Sequence, residues 1–300
     1  TKETISSVLS EKYRVLKTLG NFNNEIGLPL TVFRLTEDDE VAVLEMGISD
    51  FGEMERLSKI AQSDICVINN IGLCHLENLG TIDGILKAKT EIFNHMNPDG
   101  IVILNGDDDK LSTISQVHGK RPLVFGISNK DGVYADNIKS LGLDGTSFTI
   151  HGIKTADNYS TFDLTVPVPG HHMVYNAMAA ALVGSVLGLS SIEIERGVKN
   201  LKTIAGRNNI IKENSFTIID DCYNANPVSM KASLDVLDTA IGRKVAILGS
   251  MFELGENEKQ MHYDVGMYLG TKDIDVLITA GDLAAQIAAG TRAYIDDNYN

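Results

Sequence analysis

Six short apolar runs, each closing on polar residues or glycine, constrain the fold of this chain more than any other feature. Val41-Ala42-Val43-Leu44 leads into Glu45, Ile65-Cys66-Val67-Ile68 into Asn69-Asn70, and Ile101-Val102-Ile103-Leu104 into Asn105-Gly106-Asp107. Farther on, Phe216-Thr217-Ile218-Ile219 leads into Asp220-Asp221, Val245-Ala246-Ile247-Leu248 into Gly249, and Val276-Leu277-Ile278 into Thr279-Ala280-Gly281. Continuous hydrophobic strands that take turns with helical patterns indicate a parallel sheet, buried on both faces, in an α/β fold. Ligands of such sheets bind beyond the carboxyl ends of the strands. The closing residues are therefore candidates by position, although Asp, Asn and Gly also simply make turns.

The chain has 300 residues, which at about 150 residues per domain suggests two domains. The boundary is expected near Thr203, giving units 1–203 and 204–300. The first opens with a helix that places Ile5, Val8, Leu9 and Tyr13 on one face. Residues 123–168 alternate instead, as in Ser147-Phe148-Thr149-Ile150 and Thr161–Val166, and predict a small antiparallel sheet inserted in that unit. A helix from Gly170 to about Leu187 follows.

Net charge narrows the partners. Lys plus Arg number 26 and Asp plus Glu 40, a balance of −14, which disfavours a broad grip on nucleic acid or an anionic membrane. No apolar run approaches the ~18 residues of a membrane span. Cys66, Cys74 and Cys222 lack the CxxC spacing of a zinc site or the even count of a disulfide framework, so reduced thiols in a cytoplasm are expected. No GxxxxGK[ST] phosphate loop is present.

Four clusters could carry chemistry. In a helix from Asp83 to about Asn94, Ile85, Leu86, Ile92 and Phe93 share an arc, with Lys89 near its centre and Lys87 outside. Burial disfavours a charged lysine, and a neutral amine can act as base or nucleophile or take up CO2 as a carbamate. Alternatively Lys89 snorkels to water or pairs with Glu91. The glycine-containing loop Asn69–Thr81 holds His75, a metal ligand, an acid/base or a structural histidine. Glu45 is a Mg²⁺ ligand or a solvated carboxylate. In Gly20–Pro29, the amides of Asn21, Asn23 and Asn24 bind phosphate or hydroxyls, or close a tight loop. Asp220–Pro227, with Asp221, Asn224 and Asn226, could hold ribose hydroxyls or an amine.

Taken in order, these motifs resemble the ATP-dependent Mur ligases of bacterial cell-wall synthesis. The resemblance rests on Gly20–Leu30, Leu44-Glu45-Met46-Gly47, the Asn69–Thr81 loop, Lys87–Ile92, the helix start at His172 and Asn176, Gly206-Arg207, Asp220–Pro227 and Leu248–Gly255. It implies a central parallel-sheet P-loop-type ATPase domain with a small antiparallel insertion, followed by a Rossmann-like α/β domain. It further implies ATP and Mg²⁺ as cofactors, with Glu45 and His75 as Mg²⁺ ligands and Lys89 carbamylated to support the second ion. Asn176 would contact adenine, and Arg207 and Asp221 the nucleotide's phosphates or ribose. Met173 departs from the asparagine common in the family, which weakens any role for His172. Tyr223-Asn224-Ala225-Asn226-Pro227 points to the branch that joins UDP-MurNAc-tripeptide to D-Ala-D-Ala. Asn21, Asn23 and Asn24, with Asn224 and Asn226, would then lie near substrates. The implied protein is a cytoplasmic bacterial monomer.

In that family a phosphate loop and a UDP-binding domain precede the residues matching Thr1-Lys2-Glu3, and the C-terminal domain is longer. The 300 residues are therefore expected to be a piece, inactive alone. A folylpolyglutamate-type or other Mur ligase, and a non-catalytic nucleotide-binding module, are the competing readings.

Overall fold

Helix α1 (Lys2–Leu9) shows how the first unit is assembled. Ile5, Val8 and Leu9 fall at helical spacing and are all buried. They pack against α6 (His172–Val186) and α7 (Ser191–Lys199). The approach to α7 is so close that a Cβ on Gly197 would stand 2.4 Å from Val8 Cα. The computed structural model describes residues 1–72 and 76–299.

Between α1 and α6 the chain lays down β1 (Val15–Lys17), α2 (Gly27–Val32), β2 (Val41–Val43), α3 (Glu53–Ala61), β3 (Ile65–Ile68), α4 (Leu76–Leu79) and α5 (Ile82–Thr90). A 3₁₀ turn (Glu91–His95) leads on to β4 (Ile101–Asn105), β5 (Leu123–Gly126), β6 (Val133–Ser140), β7 (Thr146–His151) and β8 (Thr161–Val166). Strands β1 and β2 pair in parallel. Strands β3 to β8 form one six-stranded sheet in sequence order. Its β3–β6 part is parallel and its β6–β8 part antiparallel.

The expected antiparallel insertion is thus a continuation of the main sheet rather than a separate one. Strand β5 opens the alternating stretch yet bonds in parallel to both β4 and β6. One face of the sheet is covered by α6, whose Ala177, Met178, Ala179, Ala180 and Ala181 are wholly buried. Small side chains let this helix lie close across the strands. On the other face Cys66, Ile68, Val102 and Leu104 meet Met54 of α3, Ile85 of α5 and Phe93 of the 3₁₀ turn. At about 25 cal/mol per Å² of apolar surface, burial on two faces dominates the stability of this unit.

The second unit contains β9 (Asn209–Lys212), β10 (Thr217–Asp220), α8 (Pro227–Asp238), β11 (Val245–Gly249), α9 (Glu258–Gly270), β12 (Val276–Ala280) and α10 (Ala285–Tyr299). Here the sequence expectation needs correction. Strand β10 pairs antiparallel with β9, not in a parallel sheet. Strands β11 and β12 are parallel as expected but are not buried on both faces. Ala246 is buried while Ile247 is 70% exposed, so one face of β11 is covered. The cover comes from Met230, Leu234, Val265, Leu269 and Ile287 of α8, α9 and α10. Among the described residues no helix is long and apolar enough to cross a membrane. Cys66 is buried and Cys222 exposed, both as free thiols.

Candidate active site

The carboxyl ends of β2 and β3 carry the first part of the site. Glu45 follows β2, and its backbone N–H donates to Thr18 Oγ1 at 3.0 Å. Thr18 is itself fully buried just past β1, so the start of the Glu45 loop is fixed. The Asn23 amide donates to Glu45 Oε1 at 3.0 Å. Gly47 N–H donates to the Asn23 carbonyl at 2.8 Å, tying the two loops together. Lys2, from the first turn of α1, sets its Nζ 3.3 Å from Glu45 Oε2 and 3.3 Å from Glu3 Oε1. Burial alone would raise the Glu3 carboxyl. Its bond from Lys17 at 2.6 Å and the charge of Lys2 nevertheless hold it below the usual carboxylate range.

At the end of β3, the Asn69 amide donates to Asn176 Oδ1 at 2.9 Å, and Thr1 Oγ1 donates to the same oxygen at 2.5 Å. Among the described residues, Asn69 Oδ1 is buried with no hydrogen-bond partner. An orphaned acceptor of this kind is unusual in a folded protein, and it lies beside the residue expected to contact adenine.

Lys89 does not occupy the centre of an apolar face. Helix α5 stops at Thr90 and tightens into the 3₁₀ turn, so Ile92 and Phe93 leave the arc assumed for a continuous helix. The fully buried positions are Ile85 and Ala88. Lys89 is half-buried and reaches Nζ to the Asn70 carbonyl at 2.9 Å. His75 and Cys74 lie outside the described residues.

The second unit contributes a facing cluster. Residues Gly206-Arg207 precede β9 and Asp221–Tyr223 follow β10, so the hairpin brings them together. Gly206 N–H donates to Asp220 Oδ2 at 2.8 Å, and Tyr223 N–H to the Gly206 carbonyl at 3.1 Å. Arg207 lies over the Tyr223 ring, 4.1 Å from its centre. Asp221 accepts from Asn208 N–H at 2.9 Å and from the Ser233 hydroxyl. Asn208 also spans the two units, donating from its amide to the Pro169 carbonyl at 2.7 Å. Across this seam, burial pushes the His172 ring below its ordinary pKa, while Asp221 pulls it the other way.

Other expected residues are engaged locally. Asn24 Oδ1 accepts from Ile26 and Gly27 N–H where α2 begins. Asn226 is the N-cap of α8 in a capping box with Ser229. Asn224 bonds to the next backbone N–H, that of Ala225, and Asn21 is exposed. Thus Asn23, Glu45, Asn69 and Asn176 gather on the first unit, and Arg207 and Asp221 on the second. Tyr223, part of the Asp220–Pro227 cluster read from the sequence, joins the second group, and Lys2 and Thr18 join the first without having been singled out. Their only advance signal was adjacency to strand ends or to α1. A cavity of about 250 Å³ lined by Met96, Ile101, His118 and Pro122 lies at the opposite, amino-terminal ends of β4 and β5. It carries none of this chemistry.

Among the described residues no three His, Cys, Asp or Glu side chains gather as a metal cage. A single carboxylate still suits Mg²⁺, which keeps several waters and takes one or two carboxylates beside phosphate oxygens. Glu45 is a carboxylate of that kind, its Oε2 3.3 Å from Lys2 Nζ.

Comparison with known proteins gives a consistent picture. Residues 1–184 match the Mur ligase middle domain, and residues 206–299 the Mur ligase glutamate ligase domain. The chain is 40% identical over 299 residues to the UDP-N-acetylmuramoyl-tripeptide–D-alanyl-D-alanine ligase of Bacillus subtilis, covering 99% of this chain and 63% of that one. It is 32% identical to the enzyme of the same name from Escherichia coli, covering 97% and 64%. The crystal structure of MurF from Acinetobacter baumannii superposes with a TM-score of 0.89 at 34% identity, covering 97% of this chain and 63% of that one. The MurF ligase of Thermotoga maritima, in complex with ADP, gives 0.83 at 30% identity, covering 95% and 65%. The chain therefore spans less than two thirds of these relatives' lengths.

Proposed function

The chain belongs to the Mur ligase family, and on that premise we propose that it forms the ATP-binding and amine-binding part of a UDP-MurNAc-tripeptide–D-Ala-D-Ala ligase. One observation carries this reading beyond the likeness. Asn69 and Asn176 join beside Thr1 at the amino end of α1, and the bond from Asn208 to the Pro169 carbonyl seats the Arg207 and Asp221 cluster of the second unit against the first. An anion held there would have the N–H groups of α1 and Lys2 within reach, with Arg207 brought in by closure of the second unit. The D-Ala-D-Ala assignment draws on Tyr223–Pro227 and on the names of the relatives.

The reaction joins two anionic partners before any bond forms. A carboxylate oxygen of the tripeptide attacks the γ-phosphorus of ATP, and the bond from that phosphorus to the β,γ-bridging oxygen breaks, releasing ADP. The amine of D-Ala-D-Ala then attacks the acyl carbon. The carbon–oxygen bond to phosphate breaks, phosphate leaves, and the amine loses its proton as the amide forms. Two Mg²⁺ ions, when bound, would neutralise phosphoryl oxygens, one held by Glu45 and the second by His75 with the support of Lys89.

In this reading Asn176 meets adenine, and Arg207 and Asp221 reach the phosphates or ribose. Asn21, Asn23 and Asn24 lie toward the tripeptide, and Asn224 and Asn226 toward the dipeptide. Lys89 acts as a carbamate. Its neutral amine attacks CO2, a nitrogen–carbon bond forms, and one proton passes to water, leaving an anionic group on a nitrogen that keeps one N–H. Closure of 204–300 onto 1–203 would bring Arg207 to the nucleotide. We place the protein in the bacterial cytoplasm, as a monomer.

The test is a substrate panel with the full-length gene product. Phosphate release with D-Ala-D-Ala, and not with single amino acids, supports the assignment. A preference for a single amino acid would assign the chain to another branch of the family.

A further inference from the structure

Three consecutive residues at the end of β3 have their backbones gripped by three separate side chains. The Asn105 amide, on the last residue of β4, donates to the Asn69 carbonyl at 3.0 Å. Lys89 Nζ donates to the Asn70 carbonyl at 2.9 Å. Ile71 N–H donates to Asp108 Oδ2 at 2.7 Å. The last two contacts belong to one peptide unit, because the Asn70 carbonyl and the Ile71 N–H flank the same planar bond.

In a trans peptide those two groups point in opposite directions. Fixing the N–H therefore fixes where the carbonyl points. Asp108 is well anchored for this task. Its Oδ1 accepts from Lys110 and Leu111 N–H at 3.0 and 2.9 Å, and Leu111 is 1% exposed. A carboxylate drawing on the N–H also polarises the peptide and strengthens its carbonyl as an acceptor.

We propose that Asp108 is a positioning residue for Lys89, acting through the Asn70–Ile71 peptide. The Asn70 carbonyl holds the Lys89 nitrogen as an amine, and it holds it equally as a carbamate, which retains one N–H to donate. The carbamate oxygens are then directed away from Asn70, and Nζ cannot swing. The inference rests on the ligase reading for what Lys89 does. The grip itself rests on geometry alone.

Asp108→Asn in the full-length protein separates this role from a structural one. The amide oxygen can stay with Lys110 and Leu111, so the turn survives. The amide nitrogen then meets Ile71 N–H, donor against donor. The expected result is little change in Tm and faster hydrogen exchange at the Ile71 amide. With it, kcat falls by roughly tenfold to a hundredfold, while KM for D-Ala-D-Ala stays within about twofold. Unchanged exchange at Ile71 would overturn the grip. Faster exchange with unchanged kcat would overturn the positioning role. Should the asparagine variant fold poorly, Asp108→Ser gives the same comparison, since its shorter hydroxyl caps the turn without reaching Ile71. Absence of amide formation by the unmodified protein would defeat the ligase reading instead, and the exchange measurement would still decide the grip.

Discussion

Arg207 rests on Tyr223, its guanidinium 4.1 Å from the centre of the ring. Arg207 precedes β9 and Tyr223 follows β10, and the antiparallel register that pairs Asn209 with Asp220 makes them neighbours at the open end of the hairpin. The ring is 48% exposed, so the cation–π contact is of the modest, solvated kind, about 0.5–1 kcal/mol. Its use is to preorganise Arg207. Tyr223→Ala is expected to raise KM for ATP by about twofold to fivefold, and Tyr223→Phe to leave it nearly unchanged. Steady-state kinetics of the full-length protein checks this. An alanine variant with unaltered KM would remove Tyr223 from the nucleotide side of the site.

Gly197 marks where α1 and α7 touch. An added Cβ would sit 2.4 Å from Val8 Cα and 3.0 Å from the Ser7 carbonyl. The neighbour is backbone, which cannot rotate away, and Ser7 Oγ also donates to the Gly197 carbonyl at 2.6 Å. Gly197→Ala should therefore destabilise the first unit by about 1–3 kcal/mol, as overpacking does, despite alanine's better helix propensity. Chemical denaturation reads this directly. A variant as stable as the parent would mean that α1 moves aside freely.

His172 gives the seam a pH dependence. Burial depresses its pKa from 6.5, with Asp221 opposing. Between the depressed value and 6.5 the unfolded chain holds more protons than the folded one, so stability rises with pH across that window. It is lost as pH falls through it. His172→Gln should flatten this part of the stability curve. Equal slopes for the parent and the variant below pH 6.5 would show that another group titrates there.

The strand ends were legible in the sequence because continuous apolar runs that stop on Asn, Asp or Gly have few other uses. The sheet partners were not. That β5 joins β4 in parallel, and that β6, β7 and β8 extend the same sheet, depends on contacts between distant segments. Exposure of Ile247 was equally hidden, since a run of apolar residues cannot say which of its faces a helix will cover. Lys89 was chosen by an angle that holds only while the helix stays α-helical, and the 3₁₀ turn at Glu91 breaks it. Its contact with Asn70 keeps it near the site for a different reason. Asn24 and Asn226 read as ligand amides from composition, yet the same side chains are the usual starters of helices. Asp108 has no signal in the sequence beyond its place shortly after a strand end. Only the position of Ile71 reveals its second oxygen as a clamp.

The central claim is that this chain belongs to an enzyme that activates a carboxylate with ATP before an amine attacks. The most direct measurement labels the terminal carboxylate of UDP-MurNAc-tripeptide with oxygen-18 and follows the label during turnover of the full-length protein with ATP and D-Ala-D-Ala. Attack of that carboxylate on the γ-phosphorus predicts one labelled oxygen in the inorganic phosphate released with each amide formed. Amide formation with unlabelled phosphate, or with the label carried into AMP, would contradict the account.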